Sequence, residues 1–551
     1  MEFMSQRRHF FKRVPCSKTH VSIKKTLQLP SSYFHYILSS EEARHPNCSR
    51  AVGFAAPKGG VGGRKGGSEA VNILLSARLA GWLLVALGAA QGAPLLAAVY
   101  YGEPLTPFLA AAAVALGLGL PAALGIRADS LRIRPRDGFF IVSGAWILAS
   151  LFGALPYMTT GALQPVDALF ESVAGFTTTG STVMTRIEEM PRSLLLWRSI
   201  TQWLGGMGIV VFTIALMPVL GIGGMQLFRA EVPGPVTEKI RPRVAETARR
   251  LWFIYVGLTI LEAVILWGIG LDGFDAICHS LTTLSTGGFS TRGHSIGAFG
   301  SPAVEWVIIV FMLLAGINFV LHYRVLTGRA KAVFQDRELR YFLAVVALAS
   351  GAIILGMMNQ PGLDGGPPAL RRVIFTVVSL STGTGYATAD FELWSVFAHI
   401  VLLILMMLGA MAGSTCGGIK SLRVVLVLDA VRKNFKTAGH RNAVRPPVQH
   451  AGKPVPDDVL ASVWVFLAVY MALVGAMTLM TAAYGYDLAT AISAGVTSVS
   501  NVGPGLGEIG AFDHFAHFPA PIKVALAFCM VAGRLELFTL LVLLSPAFWR
   551  R

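Results

Sequence analysis

The sequence predicts an all-α, polytopic membrane protein, and three observations support this class. The chain of 551 residues is 54% hydrophobic and only 14% charged, with a mean hydropathy of +0.61, whereas soluble domains carry about 25% charged residues. Its apolar residues are grouped into ten long segments, each near the roughly 20 residues that cross a hydrocarbon core. Four short turns rich in Gly, Thr, Ser and Asn interrupt this apolar pattern.

Basic residues are distributed unequally between the connections of the ten segments. The segments lie near 72–100, 105–126, 138–158, 197–222, 250–270, 302–323, 341–358, 394–419, 459–483 and 521–548. Lys and Arg number 23 in the connections on one side and 6 in those on the other. The basic connections are 127–137, 228–250, 324–340 and 420–453. The positive-inside rule therefore predicts that these connections and both termini are cytoplasmic.

The connections predicted to lie outside have an acidic excess. They contain 13 of the 30 Asp and Glu residues, which would concentrate cations at an entrance. The net charge of +16 does not indicate nucleic-acid binding, because no basic cluster is combined with aromatic or groove-reading elements.

Residues 1–70 differ from the rest of the chain. They contain 12 Lys and Arg against 4 Asp and Glu, end in a Gly-rich stretch and show no hydrophobic period. This composition predicts a basic, mostly disordered cytoplasmic tail, although an over-long start or an artificial extension would look the same. The run 58–66 resembles a phosphate loop but lacks its Gly-Lys-Ser/Thr ending, so a flexible linker is the better interpretation.

No motif predicts an enzyme or a metal site. The five cysteines are scattered, the 12 histidines form no metal-ligand spacing, and a Gly-x-Ser-x-Gly nucleophile elbow is absent from the sequence. We therefore expect no cofactor bound by this chain.

One unit occurs four times between residues 167 and 505: a long apolar segment, a short one, a polar turn and another long segment. The turns contain Gly180, Gly288, Gly385 and Gly503, which are separated by 108, 97 and 118 residues. Each interval has room for two membrane crossings and a half-helix. Four similar units are therefore predicted.

The short segments are predicted to be re-entrant pore helices. Asp167, Asp275 and Asp487 stand where an N-cap would be, and Pro367 with Pro368 opens the third segment. Each segment is too short to span. Such a helix is tolerated in a membrane only where its irregular end is buried in protein or lines water.

The polar turns have the chemistry to replace the water around a cation. Rings of backbone carbonyls can do so, glycine permits the positive φ values that aim them inward, and the C-termini of pore helices add a negative dipole end. The alternative is four ordinary outer loops. The candidate ion-binding residues are Thr178, Thr179, Gly180, Thr286, Gly287, Gly288, Gly383, Thr384, Gly385, Asn501, Val502 and Gly503.

At these turns the chain resembles the Trk/Ktr/HKT superfamily of potassium transporters, and within it the bacterial TrkH/TrkG potassium-uptake transmembrane subunits. The turns carry the resemblance as GFTTTGS (175–181), LSTGGFST (284–291), STGTGYATADF (381–391) and NVGPGLG (501–507). Further support comes from FRAEVPGP (228–235) and AGSTCGGIK (412–420). The likeness covers about residues 71–551.

The resemblance implies a pseudo-fourfold arrangement of four M1–P–M2 (pore-loop) repeats after two extra transmembrane helices in 71–127. The repeats would be 128–245, 246–335, 336–453 and 454–551. The resemblance also implies a gated, K⁺-selective pore in the bacterial inner membrane. It further implies a homodimer with one pore per protomer and a cytoplasmic TrkA-type regulatory subunit. NAD(H) or ATP/ADP would bind that partner, because the chain has no dinucleotide fingerprint. The resemblance further implies that glycine at all four filter positions favours potassium over sodium.

Two features bear on gating. Glycines within 409–418 predict a helix break at membrane depth, with a kinked helix packed through small residues as the alternative. The resemblance makes the stretch an intramembrane gating loop formed by Gly413, Ser414, Thr415, Cys416, Gly417 and Gly418. Arg534 is a charge inside the last apolar segment, where it would face a water-filled path or pair with Glu536 or the backbone. The resemblance assigns its position to an electrostatic barrier in the pore.

Three functional classes remain. The first is a gated potassium pathway, the second a cation symporter coupling K⁺ or Na⁺ entry to H⁺, and the third a non-transporting receptor or enzyme. A symporter needs intramembrane acids that form a relay. Glu262 and Glu536 are the main candidates, and neither has an evident partner in the sequence. The first class is therefore the prediction.

Overall fold

The computed structural model describes residues 71–126, 134–215, 240–358, 367–438, 447–450 and 453–550, and these are almost entirely helical. The predicted tail, 1–70, and the motif 228–235 lie outside the described residues. Within those ranges the only strands are β1 (Gln449–His450) and β2 (Lys453–Pro454), paired antiparallel. The predicted all-α class is confirmed.

The helices of the described residues form three groups along the chain. Those before residue 216 are α1 (Ile73–Ala90), α2 (Gly92–Tyr101), α3 (Thr106–Leu120), α4 (Pro135–Gly153), α5 (Leu155–Thr159), α6 (Pro165–Phe176) and α7 (Arg192–Ala215). Those between 240 and 358 are α8 (Ile240–Gly268), α9 (Gly273–Leu284), α10 (Pro302–Gly316), α11 (Phe319–Leu326), α12 (Ala330–Phe334) and α13 (Arg337–Met358). Those from 367 on are α14 (Pro367–Ser381), α15 (Val396–Leu408), α16 (Ser421–Ala438), α17 (Asp457–Ala483), α18 (Leu488–Ser500), α19 (Ala520–Arg534), α20 (Phe538–Leu541) and α21 (Pro546–Trp549).

Between six and eight spans are long and apolar enough to cross a membrane within the described ranges. Six are not sharply bent: Ile73–Tyr101, Thr106–Gly125, Pro135–Thr159, Glu246–Gly268, Arg337–Gly356 and Asp457–Ala483. The bent pairs α10 with α11 and α19 with α20 raise the number to eight. The chain is a multi-pass membrane protein. Since α8 begins at Ile240, the repeat boundary predicted between 245 and 246 falls inside a helix.

Two of the ten predicted segments do not form simple apolar spans. Segment 394–419 contains α15, which ends at Leu408 after 13 residues because the chain turns away at Gly409, where φ is 64°. Segment 197–222 falls on α7, which is long but carries the buried polar residues Arg198, Thr201 and Gln202. These residues face the protein interior and lower the apolar character of the helix.

Two further predicted segments, 302–323 and 521–548, form helix pairs that are sharply bent. The axes of α10 and α11 differ by 100°, and those of α19 and α20 by 111°. At the first break, the Asn318 side chain accepts a hydrogen bond from the Val320 amide at 2.9 Å and starts α11. At the second, Glu536 and Leu537 have φ values of 56° and 59°, a region that L residues rarely adopt.

The starts of the short helices correct the predicted N-caps. Asp487 caps α18 by accepting the Ala489 amide at 2.9 Å, and Pro367 opens α14, as predicted. Asp167 and Asp275, however, are the third residues of α6 and α9. The helices start earlier because Pro165 occupies the first turn of α6 and Asp272 caps α9. Prediction of an N-cap at Asp167 and Asp275 was therefore wrong.

Ion pairs and a continuous apolar core join the short helices to the long helices of other segments. Asp167 on α6 pairs with Lys523 on α19 at 2.6 Å, and Arg371 on α14 pairs with Glu305 on α10 at 2.7 Å. Each short helix packs against the long helices before and after it in the chain. One buried apolar cluster extends from the α6 region to α19. This packing brings the ends of the four short helices together.

Candidate ion-binding site

The four polar turns begin where the four short helices end. These turns are turn 1 (177–181) after α6, turn 2 (285–289) after α9, turn 3 (382–386) after α14 and turn 4 (500–504), whose first residue is the last of α18. Their Thr, Ser and Asn side chains are buried. A helix C-terminus carries a partial negative charge, so four such ends favour a cation between them.

The four turns share one backbone conformation despite their different sequences. In each turn the second and fourth residues have positive φ. The values are 53° and 84° at Thr178 and Gly180, 54° and 76° at Thr286 and Gly288, 70° and 79° at Gly383 and Gly385, and 57° and 104° at Asn501 and Gly503. The left-handed conformation costs Thr178 and Thr286 about 1–2 kcal/mol each. Such strain is typical of functional sites that the surrounding structure holds in place.

The third residue of each turn makes the same hydrogen bond back to its short helix. Its amide donates to the carbonyl five residues earlier. The distances are 2.9 Å for Thr179 to Ala174, 2.9 Å for Gly287 to Thr282, 2.9 Å for Thr384 to Ser379 and 3.1 Å for Val502 to Thr497. Because the conformation and the hydrogen bond both recur, corresponding carbonyl groups in the four turns are structurally equivalent.

The turns meet as a closed ring in chain order. The fourth residue of each turn is a glycine that lies against the carbonyl of the third residue in the next turn. A Cβ atom added to this glycine would nearly overlap that carbonyl oxygen. The Cβ-to-oxygen distances would be 2.1 Å for Gly180 to Gly287, 1.8 Å for Gly288 to Thr384, 2.1 Å for Gly385 to Val502 and 2.8 Å for Gly503 to Thr179. All four glycines line the same cavity. The sequence-predicted residues are thus brought together at one place.

Three of the four carbonyls in this ring are available to a ligand. Those of Thr179, Thr384 and Val502 accept no hydrogen bond from the described part of the chain. The fourth, Gly287, accepts one from Gln202 at 2.7 Å. Buried carbonyls are normally paired, so three unpaired ones, each packed against a glycine that lines the cavity, are suited to coordinate a cation.

Polar side chains that sequence reasoning missed hold the turns from outside the ring. Glu171 on α6 accepts the Val183 amide at 2.9 Å, just after turn 1, and pairs with Arg198 on α7 at 2.6 Å. Arg198 donates to the Ser290 carbonyl after turn 2 at 2.8 Å. A charge such as Arg198 within an apolar segment is a usable signal, but the sequence carries none for Gln202.

Several acidic residues of the predicted entrance are held by hydrogen bonds or lie at the cavity. Asp272 and Asp487 are engaged as helix caps, and Glu188 accepts the Gly293 amide at 2.6 Å. Asp513 lines the cavity of the ring. Glu392 packs against Gly510, which also lines the cavity, and burial and the neighbouring Asp513 raise the pKa of the Glu392 carboxyl to about 7.

The predicted gating residues form an irregular segment next to the ring. The chain leaves the helix after Leu408 and re-enters it at Ser421, as the glycines predicted. The Thr415 hydroxyl donates to the Leu284 carbonyl at the end of α9, at 3.1 Å. A Cβ on Gly417 would lie 2.0 Å from the Ser500 carbonyl at the end of α18. The segment, called the 409–420 loop below, therefore packs against the ends of two short helices.

Further hydrogen bonds attach the 409–420 loop to neighbouring helices. The Met411 amide donates to the Gly316 carbonyl and the Phe319 amide to the Gly413 carbonyl, both at 3.2 Å. These bonds pair the loop with the break between α10 and α11. The Ala412 amide donates to Glu338 on α13 at 2.7 Å.

Arg534 connects the end of α19 to the same loop. Its side chain is buried, and its Nη1 donates to the Thr415 carbonyl at 2.6 Å. Its Nε and Nη2 atoms have no partner among the described residues. Glu536 pairs with Arg423 instead, so the alternative of an Arg534–Glu536 pair was wrong, whereas pairing with the backbone is observed. A buried guanidinium with free donors beside an irregular loop fits a water-filled path.

Comparison with known proteins places the chain in a well-defined group. Residues 110–551 match the family described as TrkH, cation transport protein. The Trk system potassium uptake protein TrkH of Halomonas elongata is 38% identical over 482 residues, which cover 86% of this chain and 98% of that protein. The Trk system potassium uptake protein TrkG of Escherichia coli is 35% identical over 470 residues, 83% of this chain and 94% of that protein.

A solved structure has the same fold. The crystal structure of the potassium transporter TrkH from Vibrio parahaemolyticus is similar with a TM-score of 0.80 and 35% sequence identity. The similarity covers 87% of this chain and 100% of that chain.

Proposed function

We propose that this chain, which belongs to the TrkH family of cation transport proteins, takes up potassium as the transmembrane subunit of a Trk-type system. The observation that carries the proposal is the closed ring of four turns with equivalent backbone conformations, in which three of the four carbonyls accept no hydrogen bond from the described residues. Related proteins named for potassium uptake support the choice of ion and argue against an enzyme.

The ring is best explained by four pore-loop repeats around one path. We assign α4 to α7 to the first repeat, α8 to α11 to the second, α13 to α16 to the third and α17 to α20 to the fourth. Helices α1 to α3 precede them as the extra pair of spans. The cavity of the ring then opens to the outside of the bacterial inner membrane, and the basic connections and termini face the cytoplasm.

Selectivity for K⁺ follows from the main-chain oxygens. A dehydrated ion regains its coordination from carbonyl groups held at fixed positions, and the back-bonds to the short helices hold them. Glycine at Gly180, Gly288, Gly385 and Gly503 leaves no side chain between one turn and the next carbonyl. Thr, Ser and Asn hydroxyl and amide groups add polarity without net charge.

Gating is assigned to the 409–420 loop together with Arg534. The loop lies against the ends of α9 and α18, and Arg534 binds its Thr415 carbonyl. A guanidinium at this point opposes passage of a cation through electrostatic repulsion. Movement of the loop would remove the obstruction and would break the hydrogen bond that holds the Arg534 guanidinium at this point.

The assembly proposed for this subunit is a homodimer in the membrane, bound to a cytoplasmic TrkA-type regulatory subunit. NAD(H) or ATP/ADP would act on that partner and reach the pore through the cytoplasmic connections. Co-purification with the regulatory subunit, followed by flux measurements with each nucleotide, tests this part.

One observation favours a second candidate, the coupling of cation entry to H⁺. Glu262 on α8 is fully buried, and neither of its carboxylate oxygens has a hydrogen-bond partner in the described residues. The nearby Thr283 hydroxyl donates elsewhere, to the His279 carbonyl at 2.7 Å. An unpartnered buried carboxylate is costly unless it carries a proton. A coupled mechanism requires that Glu262→Gln abolish H⁺-driven uptake.

Reconstituted flux tests the main proposal. Purified protein in liposomes should pass K⁺ in preference to Na⁺, and it should do so with or without a proton gradient. The same gene should restore growth of a potassium-uptake-deficient bacterium at low K⁺. Absence of K⁺ flux from folded protein would reject the proposal, and flux that requires a proton gradient would select the symporter.

A further inference from the structure

Turn 2 differs from the other turns at its third position. That position is Thr179, Thr384 and Val502 in the other turns but Gly287 in turn 2. The missing side chain is replaced by Gln202 from α7, which is fully buried. A Cβ on Gly287 would lie 2.3 Å from the Gln202 Cδ, and its three nearest atoms all belong to Gln202.

The Gln202 amide binds the main chain of turn 2 on both sides of Gly288. Its Nε2 donates to the Gly287 carbonyl at 2.7 Å, and its Oε1 accepts the Phe289 amide at 3.0 Å. Both ends of the amide are therefore engaged, which fixes its orientation. The Gly287 carbonyl corresponds to the ring carbonyl that each of the other three turns leaves unpaired.

Arg198 extends this contact one helical turn away on the same face of α7. Its Nη1 donates to the Ser290 carbonyl at 2.8 Å, and its guanidinium lies 3.6 Å from the centre of the Phe289 ring. Its Nε pairs with Glu171 at 2.6 Å. Gln202 and Arg198 together thus attach turn 2 and Ser290, the residue that follows it, to the helix α7.

We propose that Gln202 is a positioning residue for ion selectivity, because its amide fixes the Gly287 carbonyl in the ring and fills the space that a side chain occupies in the other turns. The inference rests on the proposed function. A carbonyl that is held by a buried amide cannot close around a smaller cation without breaking that bond. Gln202 would therefore keep the ring at the size of K⁺ even though turn 2 has no side chain at its third position.

The first experiment compares K⁺ and Na⁺ flux through full-length variants in liposomes. Gln202→Met keeps the length of the side chain but removes both hydrogen bonds. We expect it to lower the ratio of K⁺ to Na⁺ flux about tenfold, with a smaller effect on total cation flux. A general packing defect would instead reduce total flux and leave the ratio of the remaining flux unchanged.

Ser199→Ala is the matched control. Ser199 is also buried on α7, but its hydroxyl donates to the Leu195 carbonyl of the same helix at 3.1 Å. The control should keep the wild-type flux ratio. An unchanged ratio in folded Gln202→Met would overturn the inference.

A second pair of variants decides the matter if Gln202→Met does not fold. Gly287 lies outside the left-handed region, so alanine is compatible with its backbone, and the obstacle is the Gln202 side chain. Gly287→Ala alone and Gln202→Ala alone should each lower the flux ratio, and the double variant should recover part of the loss. Strictly additive effects of the two substitutions would contradict direct coupling.

The two proposals fail in different ways. If wild-type protein carries no K⁺ flux, the proposed function is wrong. If the wild type is selective for K⁺ and the Gln202 and Gly287 variants keep its flux ratio, the assignment of Gln202 is wrong while the proposed function stands.

Discussion

Gly385 packs directly against the main-chain carbonyl of Val502 in the next turn, so closely that a Cβ atom on Gly385 would lie 2.1 Å from the oxygen. Gly385 also has φ of 79°, which favours glycine on its own. The ring thus requires glycine at this joint for two independent reasons, one within the turn and one between turns.

Replacing Gly385 with alanine should strongly impair transport. The left-handed backbone costs an L residue about 1–2 kcal/mol, and the added methyl group displaces the Val502 carbonyl. We expect K⁺ flux in liposomes to fall at least about tenfold. Gly257→Ala on α8, where a Cβ meets open space, should keep normal flux. Equal flux from the two variants would argue against the ring as the ion site.

Gly413→Ala should raise the open probability of the pore without changing its ion preference. Gly413 has φ of 76°, and a Cβ there would lie 2.9 Å from the Asn318 Oδ1 at the break between α10 and α11. The substitution strains the loop at a contact outside the four turns. We expect this strain to shift the equilibrium between the closed and the open pore about fivefold.

Single-channel recording in planar bilayers, with K⁺ and Na⁺ in turn, measures both quantities. Gly475→Ala on α17, again in open space, is the control. Gly417 is less suitable, because a Cβ there would meet the Ser500 carbonyl next to turn 4 at 2.0 Å. A changed K⁺ to Na⁺ ratio in Gly413→Ala would mean that the loop also shapes the filter.

Arg534→Ala should increase the leak of K⁺ through the unstimulated protein, by about tenfold. The variant removes both the fixed charge and the hydrogen bond to the Thr415 carbonyl. Arg534→Lys separates these effects, since it keeps the charge but not the guanidinium geometry. We expect low leak from the lysine variant. Similar leak from the alanine and lysine variants would mean that the contact with the Thr415 carbonyl, and not the charge, forms the barrier. Normal leak from folded Arg534→Ala would reject a barrier role for Arg534.

Uptake of K⁺ by the wild-type protein at low external K⁺ should rise as external pH increases from about 6 to about 8. The increase should not exceed about threefold. Burial, and then Asp513 and Asp390, raise the pKa of Glu392 to about 7, while Asp487 adds a weaker effect of the same sign. Glu392 is therefore mostly neutral at the lower pH and negative at the higher pH, where it attracts cations to the edge of the cavity.

Glu392→Gln should make uptake less dependent on pH over this range, with folding and flux ratio unchanged. Because the folded-state pKa is above the unfolded value near 4.5, the folded state binds this proton more tightly. Thermal stability should accordingly decrease as pH rises from about 4.5 to about 7, and the variant should lack that component. An identical pH profile in wild type and Glu392→Gln would contradict the assignment.

The sequence predicted the elements of the fold more reliably than their ends and bends. Apolar length located the spanning helices because the membrane imposes it on every span. The N-cap of α18 at Asp487 was correct, but Asp167 and Asp275 were misplaced because Pro165 and Asp272 begin their helices earlier. The breaks at Asn318 and after Arg534 depend on contacts with distant segments, so local composition does not reveal them.

The sequence alone determined that the protein is helical and membrane-embedded, and that four polar turns stand at regular intervals with a glycine in each. Only the tertiary structure decided that each glycine meets the next carbonyl, that Arg534 binds Thr415 rather than Glu536, and that Gln202 completes turn 2. The reason is physical: hydrophobic length and backbone freedom are properties of a local stretch. The partner of a buried polar group is chosen by packing between segments that lie far apart in the chain.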